Sequence, residues 1–412
     1  MTISLNYYSN IPSPEKLRGK AQTSLQGFIP EINGHIHSPH SFSAFWNIEQ
    51  AFQMAKQENI SVLGINDFNT TDGYEEFAKL AGDYHIFPLF NIEFMALQSE
   101  EQRARIRIND PVNPGRTYLS GKGLRFPPTF SEKSRLKLEE LQMESNRQTF
   151  QMVARLNEYL TSVHAGLEFD PEEIRQRLAK RMLRERHIAM AIRIALFEKW
   201  DSEREREEIM TLLFGGKKPV SPSRNLAAIE NEIRNNLLKT GGPAYVPEDE
   251  KAFLSLREVT ELIIDAGGIP CYPVLLDDPK GNFTEFENDW EKMADQLATK
   301  SIFMIELIPG RNSFTVLKEF VAFFDSKGFS ITFGTEHNTP QLDPLTVSCR
   351  GKVPPDQMMK AVSFKGAAII AAHQFLTANG EEGFPVHRFP TAEELHELAI
   401  LGEKVIFEFT KK

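Results

Sequence analysis

A chain of 412 residues, 41% apolar and 25% charged, carries enough apolar side chains for a large core, which excludes wholesale disorder. One large α/β unit with an insertion, or two to three ordinary domains, is expected. A formal net charge of −10 argues against a broad nucleic-acid surface and leaves room for a local basic pocket holding a small anionic substrate. Two cysteines, Cys271 and Cys349, make neither a disulfide framework nor a zinc knuckle. Residues 1–26 contain no leader-like apolar run, and no segment approaches the ~18 apolar residues of a membrane span. The expectation is a cytoplasmic protein without a membrane segment.

In chain order, the first buried strand is expected over residues 28–37, ending in Asn33-Gly34-His35-Ile36-His37. Side chains two apart share a strand face, so His35 and His37 reach one point at its C-terminal end. Imidazole is the commonest metal ligand, and such ligands collect at strand ends in α/β barrels. Ile48, Ala51, Phe52 and Ala55 have helical spacing. Residues 61–66 read as a short buried strand followed by Asp67, residues 74–81 as a helix, and residues 86–96 as a third strand containing Glu93. This alternation implies βαβ units and a parallel sheet.

The rhythm breaks near residue 98. Residues 103–130 read as a polar loop, and helix-like segments rich in Arg, Glu, Leu and Met follow, among them the solvated charge run 203–208. An all-helical insertion over 98–250 is the economical account, dividing a barrel into parts 1–97 and 251–412. Ala266-Gly267-Gly268 ends a helix as a C-cap should, and residues 269–273 open the next strand. Residues 302–308 read as a strand, Phe314 to Phe324 as a helix and residues 330–333 as a strand. Helical stretches over 355–376 and 392–401 close the chain, and His373 within the first reads as a core histidine. At least six strand–helix alternations split by one insertion suggest a barrel more than an open sheet.

Ionisable groups stand at four expected strand ends: His35 and His37, Asp67, Glu93, and Glu336 with His337. Any one of the acids could cap a helix. Four on one rim instead point to a metal site.

The order of these motifs resembles the PHP family, the polymerase and histidinol phosphatase phosphoesterases. Asn33-Gly34-His35-Ile36-His37, Asn66-Asp67-Phe68-Asn69-Thr70, Asn91-Ile92-Glu93, Gly267-Gly268-Ile269-Pro270-Cys271-Tyr272-Pro273 and Gly334-Thr335-Glu336-His337-Asn338 follow the family sequence of motifs. The resemblance implies an α/β fold, a distorted seven-stranded TIM-like (β/α) barrel with an inserted helical domain. It points to the branch that includes nucleotide phosphoesterases and a 5′-end exoribonuclease, whose markers Arg186-His187-Ile188-Ala189 and Gly242-Pro243-Ala244-Tyr245-Val246-Pro247 resemble. The departures are Phe68, Tyr272 and Asn338 at ligand-histidine positions, Glu336 for Asp, and no His at the usual distance after Glu93. Of the family's three metal positions, one keeps its full ligand set, His35, His37, Glu93 and Glu336. One divalent transition metal (Mn, Zn or Fe) is therefore implied.

The function expected is that of a metal-dependent hydrolase, a phosphoesterase acting on a small phosphorylated metabolite or nucleotide. The alternatives are one-metal hydrolysis or isomerisation of a sugar acid, and a PHP-like binding protein without turnover. A lone metal activates one water and polarises one oxygen, so lost charge needs replacing by fixed cations. Arg116 and the Gly-flanked Lys122, with Arg186 and Arg311, are the candidates for anion contact. Asp67 is the preferred general base, with His40 and His337 as further candidates. The helical block, which follows Glu93, is expected to cover the barrel mouth.

Overall fold

Seven strands form one sheet in chain order: β1 (Glu31–Ile36), β2 (Ile60–Phe68), β3 (Phe87–Leu97), β4 (Arg116–Lys122), β5 (Ile269–Val274), β6 (Met304–Leu307) and β7 (Ser330–Phe333). The structure, a computed structural model, describes residues 7–20 and 29–411. Phe28, the expected first residue of β1, lies outside the described residues. β1, β2 and β3 run parallel, as do β5, β6 and β7, whereas β4 is antiparallel to both of its neighbours. Ile36 bridges to Glu336, and Thr335 and Glu336 donate their N–H groups to the His35 carbonyl at 3.1 and 2.9 Å. The sheet thereby curls into a nearly closed barrel of the expected seven-stranded type.

Period-2 alternation sorts each strand into two faces. Leu63, Ile65, Phe90, Ile92, Ile305, Leu307, Ile331 and Phe333 form the layer beneath the outer helices. Ile32, Val62, Phe87, Leu89, Ile269 and Met304, mostly near strand starts, meet the helices Gln357–Ala378 and Ala392–Thr410 and make an apolar floor. Gly366 lets the first of these helices lie directly on β7, since a Cβ there would come 1.9 Å from the Ile331 carbonyl oxygen. Above the floor the interior turns polar.

β4 corrects the reading of residues 103–130 as a polar loop within the insertion. Its inward face carries Tyr118, Ser120 and Lys122, polar groups that are matched because the barrel interior is itself polar. A search for apolar alternation passes over such a strand. The barrel's fourth strand thus lies inside the 98–250 stretch, and the helical block starts after it.

That block begins with the helix Glu132–Ser162 and has its own core, including Met152, Leu156, Ile188, Ile192, Leu213 and Ile233. It meets the barrel at C-terminal strand ends. The Gln142 amide donates to the Asn69 carbonyl at 2.7 Å, His187 packs edge-on to Phe42, and Arg181 pairs with Asp72.

Candidate metal centre

His35 enters a narrow barrel because three glycines make way for it. A Cβ at Gly334 would lie 2.3 Å from His35 Cβ, one at Gly34 would lie 2.6 Å from Thr332 Oγ1, and one at Gly64 would lie 2.3 Å from the Gly34 oxygen. The β1–β2 register also shifts between Asn33 and Ile36. As a result the Nε2 atoms of His35 and His37 stand 3.3 Å apart, and Glu93 Oε2 lies 3.6 Å from His37 Nε2. Ligand atoms of His35, His37 and Glu93 all fall within 4.8 Å of one another, and all three residues are buried.

The hydrogen bonds behind the rings fix where the protons are. His35 Nδ1 sits 2.9 Å from Glu306 Oε2. Burial alone would push the Glu306 carboxyl up, but the Lys122 ammonium and His35 hold it well below the usual carboxylate range. His35 therefore donates from Nδ1 to an anion and keeps a lone pair on Nε2. Ser41 Oγ donates to Asp67 Oδ1 at 2.8 Å and accepts from His37 Nδ1 at 3.0 Å, which leaves the His37 Nε2 lone pair free as well. Burial, reinforced by the Arg184 charge, keeps the His37 pKa well below the ordinary histidine value, so that ring stays neutral at pH 7. Asn66 Nδ2, 3.2 and 3.0 Å from the two ring nitrogens of His35, lies between them rather than in line with either.

Two imidazole nitrogens and a carboxyl oxygen thus converge on one point, a donor set that suits a cation. Burial, then the charges of Glu336 and Glu306, pushes the Glu93 carboxyl well above its ordinary value. A cation on these donors would remove that penalty, so the residues fit a divalent ion. Glu336, the fourth expected ligand, lies beside this cluster on left-handed backbone (φ 64°), and its Oε2 takes both the Arg311 guanidinium and Asn338 Nδ2.

Other expected site residues lie elsewhere. Asn66 faces the barrel interior, so its neighbour Asp67 points outward. There Asp67 accepts from Ser38 N, Ser38 Oγ and Ser41 Oγ at 2.7, 2.5 and 2.8 Å, and burial still pushes its pKa up to about 7. It reaches the centre only through Ser41 and His37, which corrects its reading as a general base. His337 has both ring nitrogens engaged, with Thr335 Oγ1 and the Asp343 carbonyl at 2.8 Å each, and stacks on Phe45. With both nitrogens taken, it does not stand as the free base expected of it. His40 is half-buried among Asp72, Lys180 and Glu76, with no hydrogen bond to the three converging ligands among the described contacts. Tyr272 also faces outward and donates its hydroxyl to Glu287 at 2.9 Å. It is Cys271 that stands near Glu306 and Lys122 inside the barrel.

The basic residues divide similarly. Arg116 pairs with Glu248 and lies over Phe253, and Lys122 is wholly buried, so neither is a free cation on a surface loop. Arg311 is tied to Glu336. Arg186 lies over Phe42 and donates to Asn231, with its pKa lowered to about 10 by burial and the neighbouring Arg234. Three groups had no place in the sequence reading. Glu306 orients His35, Arg184 sits 4.3 Å over Phe68 with no ion pair among the described residues, and Tyr118 shares the inward face of β4 near Glu93 and Arg184. A lone acid inside the apolar run Met304-Ile305-Glu306-Leu307 was the available signal for Glu306; Arg184 and Tyr118 had none.

No family model matches the chain, and no curated protein matches it. Among solved structures, a Bifidobacterium adolescentis protein described as a metal-dependent phosphoesterase superposes with TM-score 0.51 at 14% identity, covering 80% of this chain and 94% of that one. An amidohydrolase from Chromobacterium violaceum, solved with bound SO4 and no metal, gives TM-score 0.52 at 17% identity over 81% and 96% of the two chains. At such identities the shared property is the fold, an α/β barrel that many chemistries use.

Proposed function

We propose that the chain is a metal-dependent hydrolase that binds one divalent transition metal ion through His35, His37, Glu93 and Glu336 and cleaves a phosphate ester of a small metabolite or nucleotide. The observation that carries this reading is the convergence of the two imidazole Nε2 atoms with the Glu93 carboxyl group, three buried ligand groups within 4.8 Å of one another. A divalent ion there would supply Lewis-acid polarisation of one phosphoryl oxygen and activation of one water. The chain's own residues bind and orient. Arg184, without an ion-pair partner among the described residues, and Arg186 are the cations available to an anionic group at the mouth. Phe68 supplies an apolar wall beneath Arg184, and the Tyr118 phenol, kept protonated by burial, is a hydrogen-bond donor on the same side.

A second reading, ligand binding without turnover, is favoured by the withdrawal of Asp67, His40 and His337 from the centre. Metal analysis of the purified protein, followed by a phosphate-ester panel with added manganese, zinc or iron, separates the two. One ion per chain with ester cleavage supports the first; one ion with no cleavage across the panel supports the second. A protein that retains no metal overturns both readings.

A further inference from the structure

Lys122 and Glu306 are both 0% exposed, and burying two charges is unfavourable unless their partners offset the lost hydration. The partners are present. Lys122 Nζ lies 2.5 Å from Glu306 Oε2 and 3.2 Å from Asn66 Oδ1, while Glu306 also accepts from His35 Nδ1 and Ser120 Oγ. The ammonium is therefore held by two oxygen atoms, and one of them, Glu306 Oε2, also meets His35 Nδ1, so that the positive charge stands one carboxylate away from the ring whose other nitrogen joins the converging set. The antiparallel course of β4 is what allows this, because it brings the lysine stem in from the floor, at the level of Ile269.

We propose that Lys122 is a tethered cation filling a second cation position inside the barrel, so that the centre accepts one metal ion and excludes another. This rests on the one-metal reading above. Lys122 acts through Glu306 and His35, which makes it a positioning residue rather than a catalytic one. Removing the ammonium leaves the Glu306 charge uncompensated beside Asn66, Ser120 and the inward Cys271, a set that would admit a second ion.

The test loads wild type, Lys122→Ala and the double variant Lys122→Met/Glu306→Gln with Mn(II), removes free ion, and counts ions per chain by plasma mass spectrometry. The expected result is one ion for wild type, two for Lys122→Ala, and one for the double variant, which is neutral at both positions. Methylammonium chloride, compared with sodium chloride at equal ionic strength, should return Lys122→Ala to one ion and raise its Tm. Lys122→Ala holding one ion with unchanged affinity and no response to methylammonium overturns the proposal. Where Lys122→Ala does not fold, Lys122→Ser, which keeps a small polar group in the space and removes the charge, decides: two ions support the proposal, and one overturns it. A wild type that holds no ion, or several, instead defeats the one-metal reading, so the two failures are told apart by the wild-type measurement.

Discussion

At the scale of single residues, the centre is a set of proton positions set from behind. Glu306 holds the His35 tautomer, and Asp67 holds that of His37 through Ser41. His35→Ala or Glu93→Ala should therefore abolish metal retention, measured as ions per chain after desalting, since each removes a donor atom. Ser41→Ala should keep all the donors yet weaken metal affinity by about 10- to 100-fold in a chelator competition, as loss of an orienting partner does. Unchanged affinity in that variant would show that His37 needs no such partner. The His-x-His pair and Glu93 were legible in sequence because strand period two predicts which neighbours share a face. The same rule, applied to Asn66 and Asp67, turns Asp67 away from the centre, and the register needed to see that came only with the fold.

Whole elements were legible where one face is apolar. β1 to β3 and β5 to β7 back onto helices and announce themselves through Leu63, Ile65, Phe90, Ile305 and Ile331. β4 did not, because its buried face is polar. The helix Gln357–Ala378 yields two tests. Gly366→Ala should destabilise by about 1–3 kcal/mol or more in urea unfolding, because the added Cβ would meet the Ile331 carbonyl oxygen at 1.9 Å. On the same helix, His373 donates from Nε2 to the Gly267 carbonyl at 2.7 Å and accepts from Phe384 N at 3.0 Å. Burial lowers its pKa to about 4. Unfolded, a histidine titrates near 6.5, so between these values the unfolded chain binds the extra proton and stability falls with acidity. The contribution of His373 is full above about pH 6.5 and is lost as pH falls through about 4; the loss at pH 5 is about 2 kcal/mol by linkage. His373→Gln should lose less stability than wild type between pH 7 and pH 5 in paired urea titrations. Equal losses would assign the acid sensitivity to other buried histidines such as His187.

Across the whole molecule, a chain of net charge −10 brings guanidinium groups from the helical block to the barrel mouth. Arg184→Ala should raise KM for a phosphorylated substrate by about an order of magnitude with metal content unchanged, and Arg184→Lys should restore only part of the loss, since an ammonium lacks the fork. Equal kinetics in all three proteins would place the anion elsewhere. Among the described residues no helix is long and apolar enough to cross a membrane.

The reversed direction of β4 sets a requirement on any attempt to trim the molecule. Because β4 descends, the chain leaves it at the floor, where the Ser131 N–H meets Asp265 Oδ2. The 31-residue helix Glu132–Ser162 must then climb the outside wall before it joins the helical block. The ten helical steps from Glu132 to Gln142 give a rise of about 15 Å, and Leu138 and Leu141 are seated on the barrel core along the way. The first third of this helix is thus a mast belonging to the barrel, and only its upper part belongs to the block it carries. An excision that joins residue 131 directly to 254 would leave the ends a barrel's height apart, so a replacement linker needs at least about five extended residues to close the gap. Cutting above residue 142 would keep the mast standing.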